Sequence, residues 1–181
     1  MAAVRHAGEN VRSGPLNRSV FSVDSDMTPM VRKARVMSMT LGEIMTRDVV
    51  TVDLDDTLER VRDIFDVHHF HHVLVTSAGR LVGVLSDRDL LKNISPFIGN
   101  IRMERAQDLN TLNKRVHQVM RRRPVVGTGS MAVQDAAALV VENEVSCLPV
   151  VNPRHVPIGI VTWRDLLRYC RFCEETGSDA A

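Results

Sequence analysis

Gly83–Lys92 reads GVLSDRDLLK, and Gly159–Arg168 reads GIVTWRDLLR. The Gly, Arg, Asp, Leu and Leu of the first stretch recur in the second at an offset of 76 residues. Farther upstream the offset is 75, where IMTRDVVTV from Ile44 lies against VMRRRPVVG from Val119. Met45 then meets Met120, Arg47 meets Arg122, Val50 meets Val125 and Val75 meets Val150. One residue added in a turn accounts for the change of offset. A repeat at this period outranks any local signal in deciding a fold. A unit of about 50 residues buries too little apolar surface to stand alone, so two of them are expected to pack as one domain.

Both units run through the same order of elements. A short β-rich run (VVTV; PVV) leads to a helix with Leu58, Val61, Ile64 and Phe65 on one face. Val133, Ala136, Leu139 and Val140 form the matching face of the second unit. Asp55 or Asp56 is placed to cap the first helix and Ser130 the second. A strand follows (HVLVT; CLPVV), then a turn (SAGR; NPRHVP), a second strand (LVGVLS; IGIVT) and a last helix beginning just after Ser86 or Thr162. The expected fold class is α/β (α+β), written β-α-β-β-α twice.

Residues 1–36 are rich in Arg, Ser, Gly and Asn without a sustained period, and read as a flexible arm with a short helix near Met30–Val36. The first unit is expected over 37–95, a helical linker over 96–118, the second unit over 119–173 and a disordered tail over 174–181. Of 181 residues, 44% are hydrophobic and 25% charged, as in a soluble globular protein. A net charge of +1 gives no overall pull toward nucleic acid. No apolar run long enough for a membrane helix occurs, and the start of the chain lacks the apolar core of a secretory signal. Three cysteines make no disulfide framework, which fits a reducing, cytoplasmic setting.

The chemistry gathers at the strand-to-helix junctions, SDRD and TWRD. Ser86 and Thr162 stand at the N-cap position with Asp89 and Asp165 three residues on. Two readings of this spacing stay open. One is a capping box, in which hydroxyl and acid satisfy the free N–H groups of the helix start. The other is a phosphate or ribose site, with N–H groups and hydroxyl toward an anion and the carboxylate toward sugar hydroxyls.

On GVLSDRD, GIVTWRD and EVSCLPVVN, the sequence resembles a tandem pair of CBS domains (named after cystathionine β-synthase), the Bateman module, over residues of about 40 to 172. The motif shared with that family is Gly-hydrophobic-hydrophobic-Ser/Thr-x-x-Asp. The resemblance implies a ligand sensor and no catalysis, with no required cofactor. Its ligands would be adenosine-containing: AMP, ADP, ATP or S-adenosylmethionine, held in two clefts between the units. Ser86 and Asp89 would face Val125, Val145, Ser146 and Cys147, while Thr162 and Asp165 would face Val49, Val50, Phe70, His71 and His72. The resemblance further implies a homodimer and an effector protein that receives the signal. HVLV in the first unit departs from the Leu-Pro-Val of the family, and Asp87 stands where the second unit has Trp163, so the two clefts are expected to differ.

Other candidates are weaker. HHFHH (His68–His72) suggests zinc or nickel, but it falls on NEVSC in the second unit, at a helix-to-strand crossing. Alternation along a strand would then separate its histidines, so no metal site is expected. CRFC (Cys170–Cys173) is a single CxxC pair at a helix end. MRRRP (Met120–Pro124) reads as a solvated basic stretch rather than a phosphate or nucleic-acid contact. GTGS (Gly127–Ser130) is too short for a phosphate loop. Beside ligand sensing stand two alternatives, a ligand-free dimeric scaffold and a metal-binding regulator using His68–His72.

Overall fold

The computed structural model describes residues 39–99 and 102–169, together with the backbone of Arg5–His6. The expected helix near Met30–Val36, the CRFC pair and the tail lie outside these residues. In chain order the first elements are β1 (Arg5–His6), α1 (Leu41–Ile44), β2 (Val50–Asp53), α2 (Leu58–His68), β3 (His72–Ser77), β4 (Arg80–Ser86) and α3 (Asp87–Asn93). Next come α4 (Ala106–Leu109), a 3-10 turn (Asn110–Asn113), α5 (Val116–Val119) and β5 (Arg121–Arg122). The second repeat contributes β6 (Gly127–Thr128), α6 (Val133–Glu142), β7 (Cys147–Val151), β8 (Pro157–Thr162) and a last helix, α7, described over 163–169. The architecture is mixed α and β, with the two β-α-β-β-α units the repeat implied.

Leu58, Val61, Ile64 and Phe65 recur at helical spacing and are buried, so α2 forms to cover one face of its sheet. Its cap is Thr57, whose hydroxyl accepts the N–H of Arg60 at 3.3 Å, and not Asp55 or Asp56. Asp56 instead accepts from the N–H of Asp53 at 2.8 Å and pairs with Arg60 at 2.9 Å. In the second unit Ala132 holds the N-cap position without a side-chain bond, and Ser130 lies two residues too early. The α2 C-cap is His69 at φ 55°, in the left-handed region, and Glu144 takes φ 51° at the matching place in the second repeat.

Five strands form one sheet in the order β1-β2-β3-β4-β5, and three form another in the order β6-β7-β8. β2 and β3 are parallel, β3 and β4 antiparallel, and the β6-β7-β8 set repeats both relations. The repeat extends to irregularities: the β3 ladder shifts between Val75 and Thr76, and the β7 ladder between Val150 and Val151. Arg5–His6, which the sequence assigned to a flexible arm, pairs in parallel with Val50–Thr51.

The leading segments of the two repeats are exchanged. Leu41, Ile44 and Met45 open the first repeat but lie in the core of the second, with Val133, Ala136, Leu148 and Val161. Val116 and Met120 lead into the second repeat and fill the core of the first, with Leu58, Val73 and Leu85. Backbone bonds hold each exchange: Thr46 and Ile160 bond reciprocally at 2.9 and 3.0 Å, and β5 pairs with β4 at Gly83 and Val84. Glycine is needed at both contacts. A Cβ on Gly83 would come within 2.6 Å of Met120 Sδ and 3.0 Å of the Arg121 carbonyl, and one on Gly159 would meet Met45 and the Thr46 carbonyl. A third apolar cluster joins the repeats, with Val49, Leu74, Leu81 and Val84 against Cys147 and Val151. That seam sets the two strand-to-helix junctions beside each other.

Candidate functional site

β4 ends at Ser86 and β8 at Thr162, and the chain turns at once into α3 and α7. Asp89 Oδ2 accepts from the Ser86 hydroxyl at 2.6 Å and from its N–H at 3.2 Å, and the Asp89 N–H donates back to Ser86 Oγ at 3.2 Å. Asp165 Oδ2 accepts from the Thr162 N–H at 2.8 Å and the Thr162 hydroxyl at 2.7 Å. The capping box is therefore complete at Ser86, while at Thr162 the acid accepts from the N-cap N–H and hydroxyl. Each arrangement uses one oxygen of its carboxylate. Among the described residues Asp89 Oδ1 accepts no hydrogen bond, and Asp165 Oδ1 has Arg168 at 3.7 Å, beyond hydrogen-bond range. Both acids are part-exposed, so each junction keeps a carboxylate oxygen with spare acceptor capacity for a hydroxyl.

At the first junction the seam joins Ser146 to His72, a residue the sequence grouped with Thr162 and Asp165. His72 pairs with Ser86 in the β3–β4 ladder, and its Nε2 lies 2.8 Å from Ser146 Oγ of the other repeat. Burial lowers the His72 pKa below its ordinary 6.5; His71 and Arg121 act in the same direction, and Asp87 and Asp89 oppose them. Cys147 pairs with Thr162 in the β7–β8 ladder and is buried in the seam. Burial pushes its thiol pKa up to about 12, with Arg121 opposing, which leaves it a poor nucleophile.

The remaining expected residues are distributed differently. Val49 lies in the seam cluster with Cys147. Val50 and Phe70 pack on the first core, and Val125 and Val145 on the second. Phe70 meets Phe65 edge-on at 6.0 Å and stacks on His68 at 5.4 Å. The sequence reading grouped His71 with Thr162 and Asp165, whereas its Nδ1 lies 2.7 Å from Asp87 Oδ2 in its own repeat. A reciprocal backbone contact explains this: the Asp87 N–H donates to the His71 carbonyl at 3.1 Å, as the Trp163 N–H does to Ser146 at 3.2 Å. The HHFHH stretch thus divides among a helix end, a cap, a core contact, a hydrogen bond to Asp87 and the seam. No group of three or more His, Cys, Asp or Glu among the described residues is placed to hold a metal.

Two features escaped the sequence. The His71–Asp87 pair needs a fold to be seen. Arg121 belonged to a run read as solvated, but exchange of the leading segment carries it onto β4, where its Nε lies 3.8 Å from Asp89 Oδ2. Its neighbour Arg122 instead donates to the His117 carbonyl at 3.0 Å. No helix of the described residues is long and apolar enough to cross a membrane.

Comparison with known proteins agrees with this architecture. The family model for the CBS domain matches residues 41–96 and 116–171. A CBS domain-containing protein of Dictyostelium discoideum is 32% identical over 133 residues, covering 72% of this chain and 90% of its own length. The solved structure of CBSX2, an Arabidopsis thaliana CBS-pair protein, in complex with AMP superposes with a TM-score of 0.61 at 26% identity, over 75% of this chain and 98% of that one. Protein MJ1225 of Methanocaldococcus jannaschii gives a TM-score of 0.63 at 25% identity over 78% of this chain, which spans about half (52%) of that structure. Domains of this kind are regulatory modules. With two family matches and the paired architecture together, the chain belongs to the CBS-domain family and forms a CBS pair.

Proposed function

We propose that this CBS pair is a regulatory sensor of adenosine-containing ligands, taking AMP, ADP, ATP or S-adenosylmethionine at the two strand-to-helix junctions. The observation that carries this reading is the Oδ1 of the part-exposed Asp89 and Asp165, which takes no hydrogen bond among the described residues while Oδ2 bonds Ser86 or Thr162. That oxygen suits a ribose hydroxyl, and the AMP complex of CBSX2 supports the choice of ligand. Ser86, Val125, Val145, Ser146 and Cys147 are assigned to the Asp89 site. Thr162, Val49, Val50 and Phe70 are assigned to the Asp165 site, while His71 and His72, bonded to Asp87 and Ser146, join the Asp89 site. A ligand that prefers one arrangement of the repeats shifts their equilibrium by its difference in affinity. The shift is read by an effector protein, or by the second copy of a homodimer, in a reducing cytoplasmic setting. The chain itself catalyses nothing in this reading.

Thermal denaturation with each ligand tests the proposal. A ligand at 100 times its dissociation constant adds about 2.7 kcal/mol of stability, so at least one of the four is expected to raise the melting temperature at millimolar concentration. No shift with any of them favours the ligand-free scaffold.

A further inference from the structure

We propose that Arg121 is the phosphate-holding residue of the Asp89 junction, making that site select phosphate-bearing adenine nucleotides over uncharged adenosine. The inference rests on the sensing role above and adds to it the ligand class and the residue that chooses it. Exchange of the leading segments is what brings Arg121 there. β5 pairs with β4 at Val84 and Gly83, two and three residues before Ser86, and Gly83 permits the close approach of Met120. The guanidinium then stands 3.8 Å from Asp89 Oδ2, with its side chain 67% exposed.

The charges around it leave Arg121 able to turn to a ligand. Asp87 is held by His71 at 2.7 Å. Asp89 already accepts from Ser86 twice. Arg121 is therefore not required to satisfy either carboxylate, and at 3.8 Å it makes an ion pair without a hydrogen bond. Such an exposed pair is worth little, so little is lost when the guanidinium turns to a phosphate. A phosphate offers it paired, charge-assisted bonds that adenosine lacks. At the same position of the other repeat, an offset of 75, stands Thr46, which carries no charge.

Calorimetric titration of the full chain with AMP and with adenosine tests this, using the wild type, Arg121→Ala and Arg121→Lys. The wild type is expected to bind AMP more tightly than adenosine. Arg121→Ala should weaken AMP by about tenfold and adenosine by less than about twofold, the loss of one charge-assisted contact. Arg121→Lys, which keeps the charge and loses the fork, should recover part of the preference, and raising salt should erode it in the wild type. A wild type that does not distinguish the two ligands, or an Arg121→Ala variant that weakens both equally, overturns the assignment and leaves the sensing role standing. Binding of neither AMP nor adenosine by the wild type overturns the sensing role and the assignment with it.

Discussion

His72 Nε2 lies 2.8 Å from Ser146 Oγ, so the first residue of one repeat's β3 is hydrogen-bonded to the residue preceding β7 in the other. The bond crosses the seam beside Ser86, and burial keeps its imidazole neutral. Because the folded pKa is below 6.5, the unfolded chain takes up the proton first as pH falls. Stability contributed by neutral His72 is then present above 6.5 and is lost as pH drops toward the folded pKa. Thermal melts between pH 7.5 and about 5 should show a smaller acid loss in His72→Gln than in the wild type. Equal losses would remove His72 from the account.

Exchange of the leading segments makes each repeat depend on residues numbered with the other. Val116 is fully buried in the first core although it opens the second repeat, and Leu41 is fully buried in the second core although it opens the first. Val116→Ala should lower protection from hydrogen exchange chiefly in β3 and β4, and Leu41→Ala chiefly in β7 and β8. The Leu41 substitution should cost about 2–5 kcal/mol in denaturant unfolding. Losses confined to the repeat that each residue opens would contradict the exchange.

Gly83 and Gly159 are where the exchanged segments touch the strands. Gly83→Ala forces a Cβ toward Met120 Sδ and the Arg121 carbonyl, and the backbone carbonyl cannot swing aside as a thioether can. A loss of about 1–3 kcal/mol is expected from urea denaturation. In the double variant Gly83→Ala/Met120→Ala, relief of the clash must compete with the cavity left by a buried methionine, so the two changes should be non-additive. Strict additivity would show that the contact is not made.

Thr162→Ala removes the hydroxyl that donates to Asp165 Oδ2 and leaves that oxygen with the backbone N–H alone. About 1 kcal/mol of stability should be lost with this hydrogen bond. Thr162→Ser keeps the hydroxyl and should restore most of it, as read from denaturant midpoints. A Thr162→Ala variant as stable as the wild type would show that the bond does not contribute.

Much of this architecture was legible because repetition constrains what single stretches leave ambiguous. Setting GVLSDRD on GIVTWRD located both strand ends and both helix starts, and the same offset showed HHFHH to be a helix-to-strand crossing. The exchange was not legible. Apolar spacing says that Leu41 and Val116 face a core without saying which repeat supplies it. That one step also hid Arg121, whose place beside Asp89 follows from it. Helix caps failed for a local reason: Asp55, Asp56 and Thr57 are all competent, and Ser130 stands near a start that Ala132 takes. Chain direction after the cap, rather than side-chain type, decides among them. His71 was misassigned because its partner Asp87 is 16 residues away, joined only when β3 and β4 pair.

The central claim is that Asp89 and Asp165 each present an acceptor to an adenosine ligand. Calorimetric titration of AMP into the wild type and into Asp89→Ala/Asp165→Ala, with folding of the variant checked by its melting curve, tests it most directly. Saturable binding by the wild type and its loss in a folded double variant are expected. Equal binding by both proteins, or no binding to the wild type at millimolar AMP, would contradict the claim.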